Sequence, residues 1–191
     1  MAAAIATVGA TAQEKPVFGL KAGVNVADWK VDGVDNDALD SRIGFHIGLL
    51  SHIHVAKSVA LQPEIQYSTQ GAKNASNDDV YKVDYINVPI MLQYMFNNGF
   101  RIEAGPQFGL LVTAKDEQNN VSIDAKDDYK KGDVGIGLGL NYLSYSGFGV
   151  GGRYTFGVAD INDAGANSIK NRVLQVSLFY MFDRNHKAKS R

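Results

Sequence analysis

Residues 18–26 read FGLKAGVNV, and in this stretch apolar side chains alternate with glycine or polar side chains. Because residues two apart on a β-strand lie on the same face, the stretch predicts a two-sided strand. Phe18, Leu20 and Val24 share the apolar face, and Lys21 and Asn25 share the polar one. The fold therefore depends on which of these two faces lies outside.

The same alternation recurs along the chain and predicts eight strands joined as four hairpins. The strands are expected at 17–28, 42–55, 59–70, 85–96, 100–114, 133–143, 148–158 and 172–182. Long polar loops are expected at 29–41, 71–84, 115–132 and 159–171, and tight turns at 56–58, 97–99 and 144–147. An even number of strands, with short turns at one end and long loops at the other, is typical of outer-membrane barrels.

Composition limits the class of protein. With 191 residues and 45% hydrophobic content, the chain is long enough for one domain with a buried interior. A net charge of −1 argues against a dedicated nucleic-acid binder, so we expect no nucleic-acid partner. No stretch approaches the roughly 18 to 20 apolar residues that a membrane-spanning helix needs. The absence of cysteine excludes disulfides and thiolate metal sites.

The N-terminus indicates secretion. Residues 1–12 are small and apolar, and Ala10-Thr11-Ala12 has the A-x-A form of a signal-peptide cleavage site. We interpret residues 1–12 as the remnant of a secretory signal peptide, the alternative being a disordered leader of small residues. The predicted organisation is this leader over 1–12, a barrel over 13–182 and a polar tail over 183–191.

The apolar rows can face either the interior of a soluble barrel or the lipid around a membrane barrel. None of the eight rows contains a charge, and they carry bulky residues such as Phe45 and Ile47. An eight-stranded interior is only just wide enough for side chains, so the glycine-rich polar rows fit it better. We therefore expect an all-β, eight-stranded, antiparallel up-and-down transmembrane β-barrel with short periplasmic turns and long extracellular loops.

Aromatic side chains of the apolar rows concentrate at the tight-turn end of the predicted strands. Aromatic rings are enriched at membrane–water interfaces, so this set predicts a periplasmic aromatic girdle. Its members are Phe18, Tyr94, Phe96, Phe100, Tyr142, Phe148, Tyr180 and Phe182. The opposite rim is expected to be thinner, with Tyr67, Phe108, Phe156 and, as a further candidate, Trp29.

Several segments resemble known outer-membrane proteins. The alternating strand over 174–182 ends on Phe182 and resembles the C-terminal signal of outer-membrane barrels. The segments FGLKAGVN (18–25), LQPEIQYS (61–68) and YINVP (85–89) resemble the small outer-membrane β-barrel family of Bacteroidota, labelled porin-family or PorT-type. The resemblance covers 17–182, and the tail after Phe182 departs from it.

This resemblance implies the outer membrane of a Gram-negative bacterium as the location. It also implies contact with outer-membrane lipid and lipopolysaccharide, and recognition of the last strand by the barrel-insertion machinery.

The polar rows place a group of charges at similar depth in the predicted lumen. Two cations and two anions there can neutralise one another, as a confined interior of low dielectric requires. The group consists of Lys21, Glu64, Glu103 and Arg153, with Gln66, Gln93 and Gln107 expected to complete its hydrogen bonds. We interpret it as a charged plug; the alternative is a path for protons or solutes.

No catalytic, cofactor or metal site is predicted. His52 and His54 share a strand face with His46 farther along, but no carboxylate at a fitting spacing completes a metal site. Ser51 is adjacent to His52, and adjacent residues on a strand point to opposite faces. A third candidate is an acidic loop run, which we interpret as a solvated loop, the alternative being a site for a divalent cation or for a bridge to lipopolysaccharide through one. The run comprises Asp32, Asp35, Asp37 and Asp40.

Two classes of function stay open, with an enzyme third. In the first, the protein is a closed structural or interaction barrel whose loops engage surface partners or a secretion assembly. In the second, it is a narrow pore for ions or small solutes. Eight strands leave little room for water, which favours the first class. The loop over 115–132 is the best candidate for a partner-binding surface.

Overall fold

A computed structural model describes residues 15–33, 39–76, 79–118, 121–165 and 167–182. The predicted leader over 1–12 and tail over 183–191 lie outside these residues. The described residues form nine strands and one short 3-10 helix at Lys126–Asp128. The strands are β1 (Val17–Val31), β2 (Leu39–Ala56), β3 (Val59–Asn74), β4 (Val80–Met95), β5 (Phe100–Gln118), β6 (Val121–Asp124), β7 (Gly132–Leu143), β8 (Phe148–Gly157) and β9 (Ile169–Met181).

Eight of these strands close into an antiparallel barrel, which confirms the predicted fold class. In the wall, β1 to β5 pair in sequence, β5 pairs with β7, β7 to β9 pair in sequence, and β9 pairs with β1. The closing pair runs in register from Gly19 opposite Met181 to Val31 opposite Ile169. In the described chain β6 pairs with β5 alone, so the two form a hairpin that extends beyond the wall.

The strands are longer at one end than the alternation predicted. β1 continues to Val31 and β2 begins at Leu39, while β3 continues to Asn74 and β4 begins at Val80. Much of the predicted loops at 29–41, 71–84 and 115–132 is therefore strand. Antiparallel pairing satisfies backbone N–H and C=O groups along the whole of a strand. A strand can therefore continue where its outward row is no longer apolar. We call this end the loop end.

The opposite end carries the three predicted tight turns, and we call it the turn end. Gly99 and Gly147 occupy two of these turns with φ of 92° and 91°. Glycine adopts this left-handed region without the steric cost that a Cβ atom brings. The short connections thus follow directly from the sequence.

The two faces of the wall are sharply different. The apolar rows lie outside, with Ile43 76% exposed and Leu178 70% exposed. The charged and amide side chains of the opposite rows, such as Lys21, Glu64 and Arg153, are buried inside. Among the described residues, no helix is long and apolar enough to span a membrane.

Apolar clusters occupy both ends of the interior. At the turn end, the buried cluster is Val17, Leu50, Leu143, Phe179 and Met181. At the loop end, the buried cluster is Trp29, Ala72, Val83, Tyr85, Leu111, Ala114, Ala125, Tyr129 and Ile161. The expectation that Trp29 belongs to a lipid-facing rim is wrong. Trp29 is 5% exposed because it shares the inward parity of Lys21 and Asn25 along β1.

Candidate functional site in the barrel lumen

Arg153 of β8 is the centre of the lumen. Its Nη1 and Nη2 atoms donate to the two carboxylate oxygens of Glu64 of β3, at 2.9 and 2.6 Å. Its Nε atom donates to Oε1 of Glu103 of β5, at 2.7 Å. All three side chains are buried. One guanidinium therefore joins two carboxylates from different parts of the wall, with the forked geometry that suits arginine.

Strand register explains why these groups meet. Gly139 of β7 lies opposite Glu103 on one side and opposite Arg153 on the other. A Cβ atom on Gly139 would lie 2.7 Å from Oε1 of Glu103. The missing side chain therefore leaves the space in which the guanidinium contacts the carboxylate.

The second cation and two amides complete this group. Nζ of Lys21 lies 3.3 Å from Oε2 of Glu64. Gln62 donates to Glu64 and Gln93 donates to Glu103, each at 2.8 Å. We call the six residues the lumen charge cluster: Lys21, Gln62, Glu64, Gln93, Glu103 and Arg153.

The structure thus brings the four predicted charged residues together, with Gln93 beside them. It also includes Gln62, which the sequence did not single out, whereas the buried amide of Gln66 and Oε1 of Gln107 have no hydrogen-bond partner within the described residues. The charges of the cluster balance, two positive and two negative. Desolvating charged groups is costly, and this pairing with amide donors is the arrangement that offsets the cost.

A second polar layer lies toward the loop end and was not predicted. Nδ1 of His46 is 2.7 Å from Oδ1 of Asn25, and its Nε2 is 2.9 Å from Oγ of Ser177. Nε2 of Gln175 donates to the same Asn25 oxygen at 3.2 Å. The inward parity of these residues was readable from the sequence, but their meeting depends on register between β1, β2 and β9. This layer ties together the strands at which the barrel closes.

Loop segments cover the apolar cluster at the loop end. The indole of Trp29 packs on Tyr81 and Tyr129, with ring centroids 5.4 and 5.6 Å apart. Tyr129 forms an isolated β-bridge with Asn162, so two loops are joined directly above the barrel wall. Tyr129 of one loop and Ile161 of the other therefore pack into the cluster.

An ion pair fixes the same two loops. Nζ of Lys130 lies 2.7 Å from Oδ2 of Asp160, and the backbone N–H groups of Asn162 and Ile169 donate to Oδ1 of Asp160. These bonds, led by that from Lys130, lower the pKa of Asp160 to about 2. Lys130 follows Tyr129 and Asp160 precedes Ile161, so the pair holds two members of the apolar cluster in place.

The predicted aromatic girdle lies at the turn end of the outer surface. Phe100 contacts Tyr142 with ring centroids 5.2 Å apart, and Phe148 contacts Tyr180 at 4.7 Å. Tyr94 and Phe96 form a third contact at 5.0 Å. Phe182 lies 6.0 Å from Tyr180, and its backbone N–H donates to the carbonyl of Phe18.

The structure describes the histidine candidates and part of the acidic run. His52 and His54 pack edge to face, with ring centroids 4.9 Å apart. The residues that the structure describes contain no group of three or more histidine, cysteine or carboxylate side chains placed to hold a metal ion. Asp35 and Asp37 of the acidic run lie outside the described residues, and Asp32 lies 3.9 Å from Lys170.

Comparisons with known proteins agree with the barrel fold described above. The family model described as "Outer membrane protein beta-barrel domain" matches residues 11–163. The crystal structure of Neisserial surface protein A is similar at 13% identity, with a TM-score of 0.62, covering 88% of this chain and 100% of that one.

A second similar structure is Ail, the attachment invasion locus protein of Yersinia pestis, in complex with the heparin analogue sucrose octasulfate. It has 14% identity and a TM-score of 0.54, and the match covers 88% of this chain and 99% of that one. At these identities, the structural likeness supports the fold. A search of the curated proteins found no match.

Proposed function

The chain belongs to the family of outer membrane protein β-barrel domains, and from this premise we propose that it is a closed barrel acting in structure or surface interaction. It is located in the outer membrane of a Gram-negative bacterium. The wall contacts membrane lipid through its apolar rows, and its loops are available to partners outside the cell. Further proposed partners are lipopolysaccharide and the barrel-insertion machinery, which would recognise β9 and Phe182.

The observation that supports this proposal is the burial of side chains along the length of the lumen. Side chains occupy it at four levels: an apolar cluster at each end and, between them, the lumen charge cluster and the polar layer of Asn25 and His46. An eight-stranded interior has room for little beyond its own side chains. A permeating ion would have to separate Arg153 from Glu64 or Glu103 and leave buried charges unpaired, which is strongly unfavourable.

A narrow pore for ions or small solutes is the second candidate. Its support comes from polar atoms that are buried in the lumen and have no hydrogen-bond partner within the described residues. They include side-chain atoms of Gln66, Asn87, Gln107 and Thr155. Buried polar groups of this kind are usually hydrated, so parts of the lumen can hold water without forming a continuous path.

Solute flux separates the two candidates. Purified protein is reconstituted into liposomes, folding is verified by its heat-dependent gel mobility, and swelling is recorded in isotonic arabinose. A closed barrel gives the swelling rate of empty liposomes, whereas a general porin in parallel liposomes swells quickly. A rate that rises with the amount of this protein would contradict the closed barrel.

The loops supply the surface for interaction in this proposal. The hairpin of β5 and β6 extends beyond the wall and exposes two apolar side chains, Val121 at 60% and Ile123 at 53%. These two side chains, on a hairpin outside the wall, support a contact surface at this loop. This hairpin lies within the loop 115–132 that the sequence favoured.

We propose no enzymatic activity. Ser51 and His52 are neighbours on β2, and adjacent strand residues point to opposite faces, so they do not form a nucleophile and its base. An assay for hydrolysis of outer-membrane phospholipids by the folded protein tests this directly. Hydrolysis above that of the heat-unfolded protein would contradict it.

We also propose a closer relationship to the porin-family or PorT-type barrels of Bacteroidota. Its support is the set of three segments at 18–25, 61–68 and 85–89. A comparison of these segments across small outer-membrane barrels tests the proposal. Their absence from the Bacteroidota group would contradict it.

A further inference from the structure

A charged cleft lies on the outer surface of the barrel, immediately above the apolar band at the loop end. Its volume is about 480 Å³. The cations Arg42, Lys82 and Lys115 line it together with the carboxylates of Asp84 and Glu117. Phe45 and Tyr67 form its lower edge, with ring centroids 6.0 Å apart.

Two lysines of this cleft are placed side by side by strand register. Lys82 of β4 lies directly opposite Lys115 of β5. Like charges directly opposite one another destabilise a sheet, so each lysine of the pair favours an anionic neighbour. Lys82 pairs with Glu117, and the other cross-strand neighbour of Lys115 is Asp124 of β6.

The other groups of the cleft leave an excess of positive charge. Tyr67 donates its hydroxyl to Asp84 at 2.7 Å, and Arg42 donates to the backbone carbonyl of Gln70. Three cations and two carboxylates line the cleft. It therefore presents guanidinium and ammonium groups beside an aromatic, lipid-facing edge.

The same arrangement recurs where the barrel closes. Lys30 of β1 lies directly opposite Lys170 of β9, and Arg172 pairs with Asp28 at 2.7 Å. Along β9 these cations begin where the apolar row ends, two residues from Leu174. We call the outward-facing set the basic collar: Lys30, Arg42, Lys82, Lys115, Lys170 and Arg172.

We propose that the basic collar binds the phosphate groups of lipopolysaccharide-type lipid in the outer leaflet, with the cleft at Arg42, Lys82 and Lys115 as its main site. This proposal rests on the outer-membrane placement in the proposed function. Arginine and lysine are the side chains that bind phosphate, and basic residues at headgroup level bind anionic lipid. Acyl chains of the same lipid contact Phe45 and Tyr67, which continue into the apolar band. Within the two lysine pairs, Lys82 and Lys170 keep their carboxylate partners Glu117 and Asp32, and the ligand phosphates pair with Lys115 and Lys30.

Native mass spectrometry of the folded protein in detergent, titrated with diphosphoryl lipid A, tests this site. The variant carries Lys82→Gln and Lys115→Gln, and we expect it to bind about 30-fold more weakly, from the contribution that each lysine makes near an anionic surface. The matched control carries Lys15→Gln and Lys57→Gln, which remove the same charge from the turn end and should leave binding unchanged. Heat-dependent gel mobility verifies that both variants fold.

Two further ligands identify the source of the phosphate. Lipid A with its phosphates removed should bind at least tenfold more weakly, and inorganic phosphate at equal concentration should not compete. Equal binding of the dephosphorylated lipid, effective competition by inorganic phosphate, or equal losses in both variants would overturn the site. Solute flux tests the closed lumen separately from the lipid site. If the protein conducts solute and still binds lipid A through Lys82 and Lys115, only the closed lumen is contradicted.

Discussion

Arg153 of β8 contacts Glu103 of β5 across the intervening strand β7, with 2.7 Å between Nε and Oε1. The contact exists because the residue that lies between them in register is Gly139. A position without a side chain thus determines how two charges pair inside the barrel. The closed lumen that we propose depends on this pairing.

Replacing Glu103 with alanine should destabilise the barrel. Arg153 would keep its bonds to Glu64 but lose a buried carboxylate partner, which costs on the order of 3–5 kcal/mol. The temperature at which the folded band disappears in a gel-mobility assay should fall markedly. The matched control is Glu117→Ala, which removes a half-exposed partner of Lys82 and should cost about 0–1 kcal/mol. Equal temperatures for the two variants would remove the structural role of Glu103.

A side chain at position 139 should destabilise the barrel. The Cβ atom of Gly139→Ala would lie 2.7 Å from Oε1 of Glu103 and 2.9 Å from the backbone carbonyl of Gly152. Overpacking of this kind typically costs about 1–3 kcal/mol. Gly132→Ala on the same strand is the control, since its Cβ atom would have no neighbour within 4 Å. The free energy of unfolding in urea should fall for the first variant alone, and an unchanged value for both would contradict the close packing.

The contacts that hold the loops at the loop end should weaken at low pH. Because the pKa of Asp160 is lowered to about 2 in the folded protein, its ion pair with Lys130 stabilises the loops above the ordinary aspartate pKa of about 4. That stability decreases below pH 4 and is lost as the pH falls through 2. The fluorescence of Trp29, the one tryptophan in the sequence, should shift to the red over this range.

A substitution links that transition to Asp160. Asp160→Asn should remove the pH dependence of the Trp29 emission between pH 4 and 2, because the carboxylate that titrates there is gone; the pair is exposed and contributes about 0–1 kcal/mol. Asp163→Asn in the same loop is the control and should behave as the wild type. If Asp160→Asn leaves both the emission and its pH dependence unchanged, the ion pair does not hold the loops on the apolar cluster.

Much of the wall could be predicted from sequence, and the interior only in part. The period of two places Ile43 in the apolar row of β2 and Lys21 in the polar row of β1. Strand geometry alone decides which residues of a strand share a face, so no knowledge of the neighbouring strands is needed. Counting along strands also placed Glu64 and Arg153 at similar depth. Contacts between strands depend on register and on the stagger of the closed barrel, which no single strand encodes. For that reason the sequence did not show the bonds of Arg153 to Glu64 and Glu103, whereas Gln62, two residues from Glu64 on β3, shares its face by the period of two alone.

Trp29 shows a second limit of prediction from the sequence, at the ends of the strands. The alternation that identifies a strand in lipid fades beyond the apolar band, so 29–31 read as loop although β1 continues through it. Once the strand continues, parity alone turns Trp29 inward, where Tyr81 and Tyr129 contact it. The apolar cluster at the loop end therefore became visible only with the pairing of the strands.

Single-channel recording in a planar lipid bilayer tests the closed lumen most directly. Folded wild-type protein, with insertion verified by recovery of the heat-modifiable band from the bilayer lipid, should show no steps above the baseline in 1 M KCl. Stable unitary steps whose size or ion selectivity changes in Lys21→Gln or Glu103→Gln would contradict the closed barrel. Such steps would establish a conducting path through the lumen charge cluster.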